Sequence, residues 1–423
     1  MSEKIAIIGS GIAGLSSAWF LHRKYDVSVY EADSRIGGHS YTVTVPEGDG
    51  EVNFDAGFMV YNEVTYPHLT RLFKELDVPT KSTSMSFSVH HGPSGLEWNG
   101  AGLNTLFAQR KNLFNLRHWK FLVQLNRFNK EAITALDEPE WQSMTLSEYV
   151  EKRGYGSDFL DRYLIPMSSA VWSTPPEKML QFPAVTLLRF WHNHGFLGLA
   201  TQHPWRTVCG GSQAYVERVI RPFRDQIYIN QPVTRVERRG ESVYLSVREG
   251  SEERYDRVIF ATHAPTSLKI LGDPTPDESE ILAAFAYQPN EIKIHSDPKV
   301  MPRNSKCWAS WNYRSNSQGI PTTHYWMNSL QGVSKDENYF VSLNASDLVK
   351  KEKVHREMSL EHPLFDLEAI GAQKRIRDLN RATDGKRTYF AGAWTRYGFH
   401  EDGILSAVKV CEQILGGDPW ELR

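Results

Sequence analysis

Short apolar runs alternate with glycine-rich turns at the start of the chain. Residues 5–8 and 27–30 are compact apolar runs of the kind that form buried parallel strands, and residues 15–21 between them have the pattern of a helix. Two further β runs are predicted at 231–236 and 255–262. Strands that alternate with helices in this way predict an α/β fold.

The turn after the first apolar run has the pattern G-x-G-x-x-G in a strand–turn–helix–strand context, which is typical of dinucleotide binding. Gly9 permits the tight turn, Gly11 lets the backbone approach a pyrophosphate, and Gly14 lets the helix pack on the strand. The helix N-terminus then offers free N–H groups to the phosphates. Glu31 follows the second run, where an acid accepts the ribose hydroxyls. The alternative is a glycine-rich turn without a ligand.

The composition narrows the class of protein. A chain of 423 residues is long enough for two or three domains. Lys and Arg number 48 against 50 Asp and Glu, so the net charge is −2 and gives no electrostatic case for a nucleic-acid partner or an anionic membrane. A hydrophobic share of 40% is that of a globular protein, and 12% of the residues are aromatic.

Cysteines and apolar runs indicate the compartment. Cys209, Cys307 and Cys411 are too few and too scattered for a disulfide framework or a zinc ribbon, which fits a reducing compartment. The apolar run at 5–8 is too short for a signal peptide, and no apolar run approaches the ~20 residues of a membrane span. We expect a cytoplasmic protein, with a peripheral membrane contact left open.

Residues 103–135 place apolar side chains at helical spacing and contain six cations before the first acid at Glu131. The simpler interpretation is a solvated helix face, and we favour it on composition alone. The alternative is a basic surface that faces lipid.

Residues after the second run extend the dinucleotide motif. Glu31-Ala32 and Arg35-Ile36-Gly37-Gly38 are followed by His39. This segment resembles the flavin amine oxidase superfamily, which includes protoporphyrinogen oxidases and phytoene-type desaturases and has Arg where His39 stands. The resemblance implies FAD, with contacts in this part of the chain at Gly9, Ser10, Gly11, Ile12, Ala13, Gly14, Glu31, Ala32, Arg35, Gly37, Gly38 and His39.

Later segments are similar to the same superfamily. They are the Asp-x-Gly segment at 54–59, a Gly-Gly turn at 210–212 and the Phe-Ala-Gly-x-x-Thr motif at 390–395, which precedes a glycine at the start of the last helix. The resemblance implies further FAD contacts at Gly57, Phe58, Met59, Val233, Ala261, Thr262, Gly392, Ala393, Gly403 and Ile404. Because no cysteine lies in a matching motif, we expect non-covalent FAD.

The resemblance also implies a domain organisation. A Rossmann-type FAD-binding domain is assembled from residues 1–75, 200–272 and 375–423. Residues 76–199 and 273–374 form an α+β substrate domain like that of the amine oxidases. Large apolar residues are frequent in the second domain, and as substrate-pocket candidates we select Trp172, Phe190, His194 and Trp326. Ordinary core packing is the alternative for each of them. His192 and His194 do not share a helix face, so we expect no metal site.

Two residues are candidates for catalysis. His400 aligns, from Gly403, with the position where amine oxidases often present a tyrosine to the flavin, and a histidine there could act as acid or base. A hydrogen-bonded structural role is the alternative. Lys293 lies in the region of the superfamily's lysine, which holds a water at flavin N5, but no motif anchors it.

The resemblance is strongest to bacterial members of the superfamily linked to fatty-acyl modification. Segments 307–313 and 325–331 look characteristic of them. We therefore predict an FAD-dependent dehydrogenase or desaturase that transfers a hydride from a lipophilic, fatty-acyl type of substrate to flavin N5. A second electron acceptor, oxygen or another, is then required. The alternatives are a flavin-containing amine oxidase and a non-enzymatic lipid or prenyl carrier on the same fold.

Overall fold

The computed structural model describes residues 2–198, 201–248, 252–316, 321–381 and 387–421. The strands, numbered along the chain, are β1 Lys4–Ile8, β2 Asp26–Tyr30, β3 Thr42–Glu47, β4 Gly50–Asp55, β5 Tyr61–Asn62, β6 Thr80–Thr83, β7 Phe87–His91, β8 Leu96–Asn99, β9 Trp205–Val208, β10 Ile227–Tyr228, β11 Val233–Arg239, β12 Ser242–Val247, β13 Glu252–Tyr255, β14 Arg257–Phe260, β15 Tyr287–His295, β16 Trp311–Ser315, β17 Thr322–Trp326, β18 Phe340–Leu343, β19 Val354–Pro363 and β20 Thr388–Phe390. The helices are α1 Ile12–Leu21, α2 Pro67–Glu75, α3 Leu103–Leu106, α4 Leu116–Ala135, α5 Leu146–Arg153, α6 Ser157–Phe159, α7 Ile165–Trp172, α8 Pro176–Met179, α9 Ala184–Asn193, α10 Gln213–Ile220, α11 Ala264–Ile270, α12 Pro276–Ala283, α13 Met327–Leu330, α14 Leu367–Arg381 and α15 His400–Leu415.

A five-stranded parallel sheet contains the predicted N-terminal strands. Its order is β10-β2-β1-β14-β20, and β1 pairs with β2 on one side and β14 on the other. Ile5, Ile7 and Val29 are fully buried, as expected for strands covered on both faces. The predicted α/β fold with a Rossmann-type sheet is confirmed.

A seven-stranded sheet forms the second layer, in the order β19-β15-β18-β17-β16-β7-β8. All neighbours are antiparallel except β16 and β7. Ile292, Ile294 and Val341 pack in the core beneath it. Strands β11, β12 and β13 form a separate antiparallel sheet, and β3 pairs with β4.

A small antiparallel sheet joins the two predicted domains. Its order is β5-β9-β6, so a strand of the 76–199 segment pairs with a strand of the 200–272 segment.

The basic segment 103–135 forms two helices rather than one. α3 ends at Leu106, a 3-10 turn covers Arg110–Phe114, and α4 begins at Leu116. Asn115 starts α4 as its N-cap residue, because its side-chain oxygen accepts a hydrogen bond from Arg117 N at 3.0 Å. Helix α4 then packs on α9, where Phe128 meets Trp191 at a ring-centroid distance of 5.8 Å.

Among the helices of the described ranges, none combines the length and the apolar character that crossing a bilayer requires.

Candidate active site

The carboxyl ends of four parallel strands meet at one large cavity. Gly9, Glu31, Ala261 and Gly392 follow β1, β2, β14 and β20, and all four line it. Because the chain turns to opposite sides of β1, this edge is a topological switch point, where α/β sheets bind ligands. The cavity, called here the main cavity, has a volume of about 620 Å³. That volume is within the range of small-molecule sites.

The glycine loop between β1 and α1 leaves its backbone bare to the main cavity. A Cβ on Gly14 would lie 1.9 Å from Gly9 O, and a Cβ on Gly9, whose φ is +102°, would lie 2.7 Å from Ala261 O. Gly11 differs, because no protein atom lies within 4 Å of its Cβ position although it lines the cavity. The open backbone and the N-terminus of α1 fit the pyrophosphate of a dinucleotide.

Glu31 is held against this loop. Its Oε2 accepts hydrogen bonds from Ser10 N at 3.0 Å and Ser10 Oγ at 2.5 Å, and its Oε1 accepts one from Asp33 N at 2.9 Å. The carboxylate therefore lies at the end of β2 with its oxygens at the cavity wall, where it fits a ribose. We call Gly9 to Ala13, Glu31, Ala32 and Gly38 the dinucleotide end of the main cavity.

Arg35 shapes the second turn from outside the cavity. Its guanidinium donates to Ser40 O at 2.8 Å and to the Gly38 carbonyl, and it stacks on the Tyr41 ring at 3.8 Å. These bonds hold Gly38 close to the glycine loop. A Cβ on Gly38 would lie 3.0 Å from Gly11 Cα. Gly38 and His39 line the cavity, whereas the predicted contacts Arg35, Gly37 and Gly14 do not.

A buried carboxylate fixes the segment that crosses the middle of the cavity. Asp55 Oδ1 accepts from Ser212 N, Ser212 Oγ and Thr42 Oγ1, each at 2.7 Å, and Oδ2 accepts from Gln331 Nε2 at 2.8 Å. Burial is the larger effect and raises the pKa of Asp55, although the hydrogen bonds from these donors lower it in part. The network links the segment before Gly57 to the turn after α13.

Gly57, Phe58 and Met59 follow this carboxylate and line the main cavity. A Cβ on Gly57 would lie 2.1 Å from His39 O, and Phe58 N donates to the same carbonyl at 2.7 Å. The close approach of these two segments explains why glycine is needed at position 57.

His400 lies at the N-terminus of α15 and is stacked face to face on Phe58 at 3.9 Å. Its Nε2 is 3.0 Å from Ser40 Oγ and 2.9 Å from Tyr215 OH. Burial lowers its pKa to about 3, so the imidazole is neutral at pH 7. The structure thus brings His400 to the cavity wall as a neutral base in a network of hydroxyl groups.

Three histidines cluster farther along the wall. His39 lies 5.5 Å from His362 and 6.3 Å from His263, measured between ring centroids, and all three line the cavity. His263 Nδ1 is 3.3 Å from the carboxylate of Glu361, and its ring stacks on Tyr287. Burial lowers the pKa of His39 to about 3 and that of His362 to about 4, and it also lowers the pKa of His263.

The C-terminal motif contributes to the cavity in part. Gly392 and Ala393 line it, but Gly403 and Ile404 do not. A Cβ on Gly403 would lie 2.5 Å from Ile12 Cγ2, so this glycine is required for the contact between α15 and α1. The glycine therefore places the N-terminus of α15 beside the N-terminus of α1.

Aromatic and aliphatic side chains enclose the other end of the cavity. The predicted pocket residues Trp172, Phe190 and His194 lie here. Burial lowers the pKa of His194 to about 4, and its ring stacks on Phe190 at 3.9 Å. This aromatic end consists of Tyr66, Met85, Val171, Trp172, Phe190, His194, Phe196, Trp205, Trp311 and Tyr325, and no member has a formal charge at pH 7.

Three predicted site residues lie elsewhere. Lys293 is in ion pairs with Glu357 at 2.8 Å and Glu291 at 3.4 Å, which raise its pKa. Trp326 donates from Nε1 to Asn338 Oδ1 at 2.8 Å and packs in another core cluster. Val233 starts β11 and does not line the main cavity. Side chains alternate between the two faces of a strand. Lys293 therefore lies on the face of β15 opposite to the core face that Ile292 and Ile294 occupy.

A smaller cavity of about 340 Å³ adjoins the aromatic end and shares Tyr66, Phe190 and His194 with it. Its wall includes Glu401 and Asp402, where burial raises the pKa to about 7 and about 6. Glu401 accepts hydrogen bonds from His68 N and Leu69 N at the start of α2. Asp402 accepts from Phe399 N and lies 3.6 Å from Arg396.

Several cavity residues have no predicted role in the sequence analysis. They are Tyr66, Met85, Val171, Phe196, Trp205, His263, Tyr287, Trp311, Tyr325, Glu361, His362, Tyr397 and Phe399. Tyr397 and Phe399 adjoin the C-terminal motif, and His263 directly follows Ala261-Thr262, so proximity to a motif was a usable signal for these three. Trp311 and Tyr325 lie inside the segments 307–313 and 325–331 that resemble the fatty-acyl members, whereas the others lie outside any motif.

A glycine loop at the ends of parallel strands, faced by a carboxylate, is the arrangement of a dinucleotide-binding protein. The model of the family described as flavin containing amine oxidoreductase matches residues 12–336. The chain therefore belongs to this family.

Curated relatives of the chain are flavin-containing amine oxidases, which agrees with this membership. Amine oxidase [flavin-containing] B of Canis lupus familiaris is 24% identical over 286 residues, which are 64% of this chain and 52% of that protein. The chain spans about half the length of the curated relatives it matches.

Solved structures share the fold at low sequence identity. Cyclohexylamine oxidase from Brevibacterium oxydans IH-35A aligns with a TM-score of 0.68 and 17% identity over 98% of this chain and 100% of that chain. The CLA-producing fatty acid isomerase from P. acnes aligns with a TM-score of 0.69 and 15% identity over 97% of this chain and 98% of that chain.

Family membership confirms three predictions from the sequence: the superfamily, FAD as the cofactor and the class of FAD-dependent oxidoreductase. The open backbone at Gly11, the carboxylate of Glu31 and the closely packed Gly38 and Gly57 fit that cofactor.

Proposed function

We propose that the protein oxidises a neutral lipophilic substrate, of the fatty-acyl type, in the main cavity with FAD as the two-electron acceptor. The observation that supports this most is the aromatic end, which has ten apolar or uncharged residues and no formal charge among them. An apolar chain in such a site gains about 0.8 kcal/mol for each buried CH₂ group. An ammonium group would find no counter-charge there.

The residues that would hold FAD are those of the dinucleotide end. The loop from Gly9 to Ala13 and the N-terminus of α1 would bind the pyrophosphate, and Glu31 would bind the ribose. By the resemblance, Gly57, Phe58 and Met59 would contact the flavin ring. When bound, FAD supplies an acceptor for a hydride at N5.

The proposed reaction forms a double bond in the substrate. An acyl chain that gains a C=C bond loses a hydride from one carbon and a proton from its neighbour, and the hydride carries both electrons. A second acceptor, oxygen or another oxidant, must then take those two electrons from the enzyme. His39, His263 and His400 lie at the cavity wall as neutral imidazoles, and a ring nitrogen of one of them would take the proton. Burial lowers the pKa of His39 and His400 to about 3, which makes both weak proton acceptors, whereas Glu361 raises the pKa of His263 against the effect of burial. His263 is therefore the first candidate, and His400, the residue predicted from the sequence, is the second because of its contacts with Ser40 and Tyr215.

The names of the similar structures support two substrate classes. The fatty acid isomerase is named for a fatty-acid substrate, and this agrees with the uncharged aromatic end. Cyclohexylamine oxidase is named for an amine. An amine oxidase is therefore the second candidate function, and the smaller cavity favours it because Glu401 and Asp402 could attract a cation.

Two features of those carboxyl groups lead us to rank the amine second. Glu401 and Asp402 already accept backbone hydrogen bonds, and their raised pKa values reduce the negative charge they hold near pH 7. The carrier alternative is dropped, because the chain belongs to a family of FAD-dependent oxidoreductases.

The domain boundaries and a peripheral membrane contact are also part of the proposal. The five-stranded sheet takes its strands from residues 4–30, 227–260 and 388–390, and the seven-stranded sheet takes its strands from residues 87–99 and 287–363. Both sets lie inside the segments proposed for the FAD-binding and substrate domains.

Anaerobic reduction of the bound flavin tests the proposed substrate class. Purified protein would be mixed with acyl-lipid, amine and isoprenoid pools, and the loss of the flavin absorption would be followed. We expect reduction by the acyl-lipid pool. Val171→Asp places a charge in the aromatic end and should slow this reduction, whereas Val171→Ala is the matched control. Rapid reduction by amines and none by lipids would overturn the proposal in favour of the amine oxidase.

A further inference from the structure

The chain exposes several large apolar side chains in a segment that carries none of the flavin motifs. Phe114 is 91% exposed, Leu116 85% and Leu103 76%. We define the docking patch as these three residues together with Leu113, Trp119 and Val123, all of which are exposed. The other large apolar side chains that are exposed in the described ranges, Val64, Ile133, Tyr228, Ile229 and Leu367, are scattered along the chain. A concentration of exposed apolar side chains in one segment is typical of an interaction surface.

Helix α4 is apolar on two opposite faces. Its inner face buries Phe128 against Trp191 of α9 and Phe121 against Trp98 of β8. Its outer face carries Leu116, Trp119 and Val123, which are three and four residues apart and therefore form one stripe. The inner face is sufficient to hold α4 on the fold, so core packing does not explain the outer stripe.

All charged side chains within the segment that carries the docking patch are positive. Residues 103–130 contain six cations and no acid, although the whole chain has a net charge of −2. The cations are Arg110, Lys111, Arg117, Lys120, Arg127 and Lys130. Arg117 is paired with Asp158 and Arg127 with Glu131. In the part of the chain that the structure describes, Lys111, Lys120 and Lys130 form no salt bridge.

The docking patch is one helix away from the main cavity. The inner face of α4 packs on α9 through Phe128 and Trp191. The adjacent residue Phe190 lines the aromatic end of the cavity, and His194 at the C-terminus of α9 does so too. A lipid surface on the docking patch would therefore lie close to the proposed substrate site.

We propose that the docking patch binds the surface of an anionic phospholipid bilayer, which is also the source of the acyl substrate. The second part rests on the proposed function, whereas the binding itself does not. Exposed aromatic and aliphatic side chains with interleaved lysines are the combination that inserts into an anionic interface. A second copy of the chain would bind the docking patch less well than an anionic bilayer, because a symmetric contact would bring two sets of cations together.

Vesicle sedimentation tests the binding. The purified flavoprotein would be mixed with vesicles of phosphatidylcholine alone or with one-third phosphatidylglycerol. We expect binding to the anionic vesicles that weakens when salt is raised from about 0.1 M to about 1 M. Lys111→Gln and Lys120→Gln should each weaken binding about fivefold. The double variant Phe114→Ser/Leu116→Ser should weaken it about tenfold or more.

Matched controls use exposed residues outside the docking patch. Ile229→Ser/Leu367→Ser removes two exposed apolar groups, and Lys374→Gln removes one exposed cation. These variants should bind like the wild type. Equal binding to neutral and anionic vesicles, no binding at all, or equal losses in the control variants would overturn the proposal. Conversion of a dimer to a monomer by the patch variants would assign the surface to a second copy instead.

Failure of the docking patch and failure of the proposed function give different results. Flavin reduction would also be measured with acyl lipid solubilised in detergent, where docking is not needed. Patch variants that lose vesicle binding but keep this reduction support both claims. Vesicle binding without reduction by any lipid supports the docking patch and overturns the acyl substrate.

Discussion

The two ends of the main cavity are built in different ways. Backbone that follows β1 and β2 forms most of the dinucleotide end, where glycines at 9, 11 and 38 set the spacing of the loops. Side chains from α7, α9 and strands of two other sheets form the aromatic end. The shape of the dinucleotide end depends on the absence of side chains at its glycines. The shape of the aromatic end depends on the large side chains that line it.

This difference separates cofactor binding from substrate choice. A site made from backbone tolerates few substitutions, because an added Cβ meets other backbone atoms. A site made from side chains can change its shape and polarity without disturbing the sheet. Substitutions at the dinucleotide end should therefore affect flavin content, and substitutions at the aromatic end should affect the substrate.

The largest expected effect is a difference between alanine substitutions at Gly14 and at Gly11, which lie close together after β1. Gly14→Ala puts a Cβ 1.9 Å from Gly9 O and should destabilise the fold by about 3 kcal/mol. Gly11→Ala meets no protein atom, so the fold should persist while flavin affinity falls about tenfold or more. Thermal unfolding and the flavin-to-protein absorbance ratio measure the two effects. Equal flavin content in Gly11→Ala and wild type would contradict the assignment of this loop.

A second prediction concerns Asp55, the buried carboxylate that fixes the segment before Gly57. Asp55→Asn replaces an acceptor of four hydrogen bonds with a group that also donates, which leaves buried donors unmatched. We expect a loss of about 3 kcal/mol in the free energy of unfolding. Asp49→Asn, on the exposed β3–β4 turn, is the control and should have little effect. Urea unfolding measures both, and equal stability of the two variants would show that the network is dispensable.

A third prediction concerns pH. The folded pKa of His400 is about 3 and its unfolded value is near 6.5, so its contribution to stability is present above pH 6.5 and is lost as the pH falls. His39, His194 and His362 act in the same direction. Between about pH 7.5 and about pH 5.5 each costs about 1.4 kcal/mol. The raised pKa values of Glu401 and Asp402 offset part of this loss, because their folded forms bind protons more tightly.

His400→Gln isolates one of these contributions. Its free energy of unfolding should fall by about 1.4 kcal/mol less than that of the wild type over the same pH interval. His192→Gln, on an exposed position, should follow the wild type. Urea unfolding at the two pH values checks this, and an unchanged pH dependence in His400→Gln would show that the pKa of His400 in the folded protein is close to its unfolded value.

The same contrast explains what the sequence could predict. The strand–turn–helix pattern around Gly9 and Glu31 is local, so the parallel sheet and the dinucleotide end followed from consecutive residues. The partners of His400 did not, because Ser40 and Tyr215 are 360 and 185 residues away along the chain. Lys293 does not line the main cavity, because the position of β15 in its sheet depends on pairing with β18 and β19, which come later in the chain. The glycine motif at 403 was recognised, but its contact with Ile12 depends on helix packing.

The dependence of flavin reduction on acyl chain length tests the central claim most directly. Anaerobic reduction would be measured with a series of acyl substrates that differ by single CH₂ groups. If the aromatic end binds an apolar chain, the apparent substrate affinity should rise about fourfold for each added CH₂ until the cavity is filled. Reduction that is independent of chain length, or that occurs only with amines, would contradict the account.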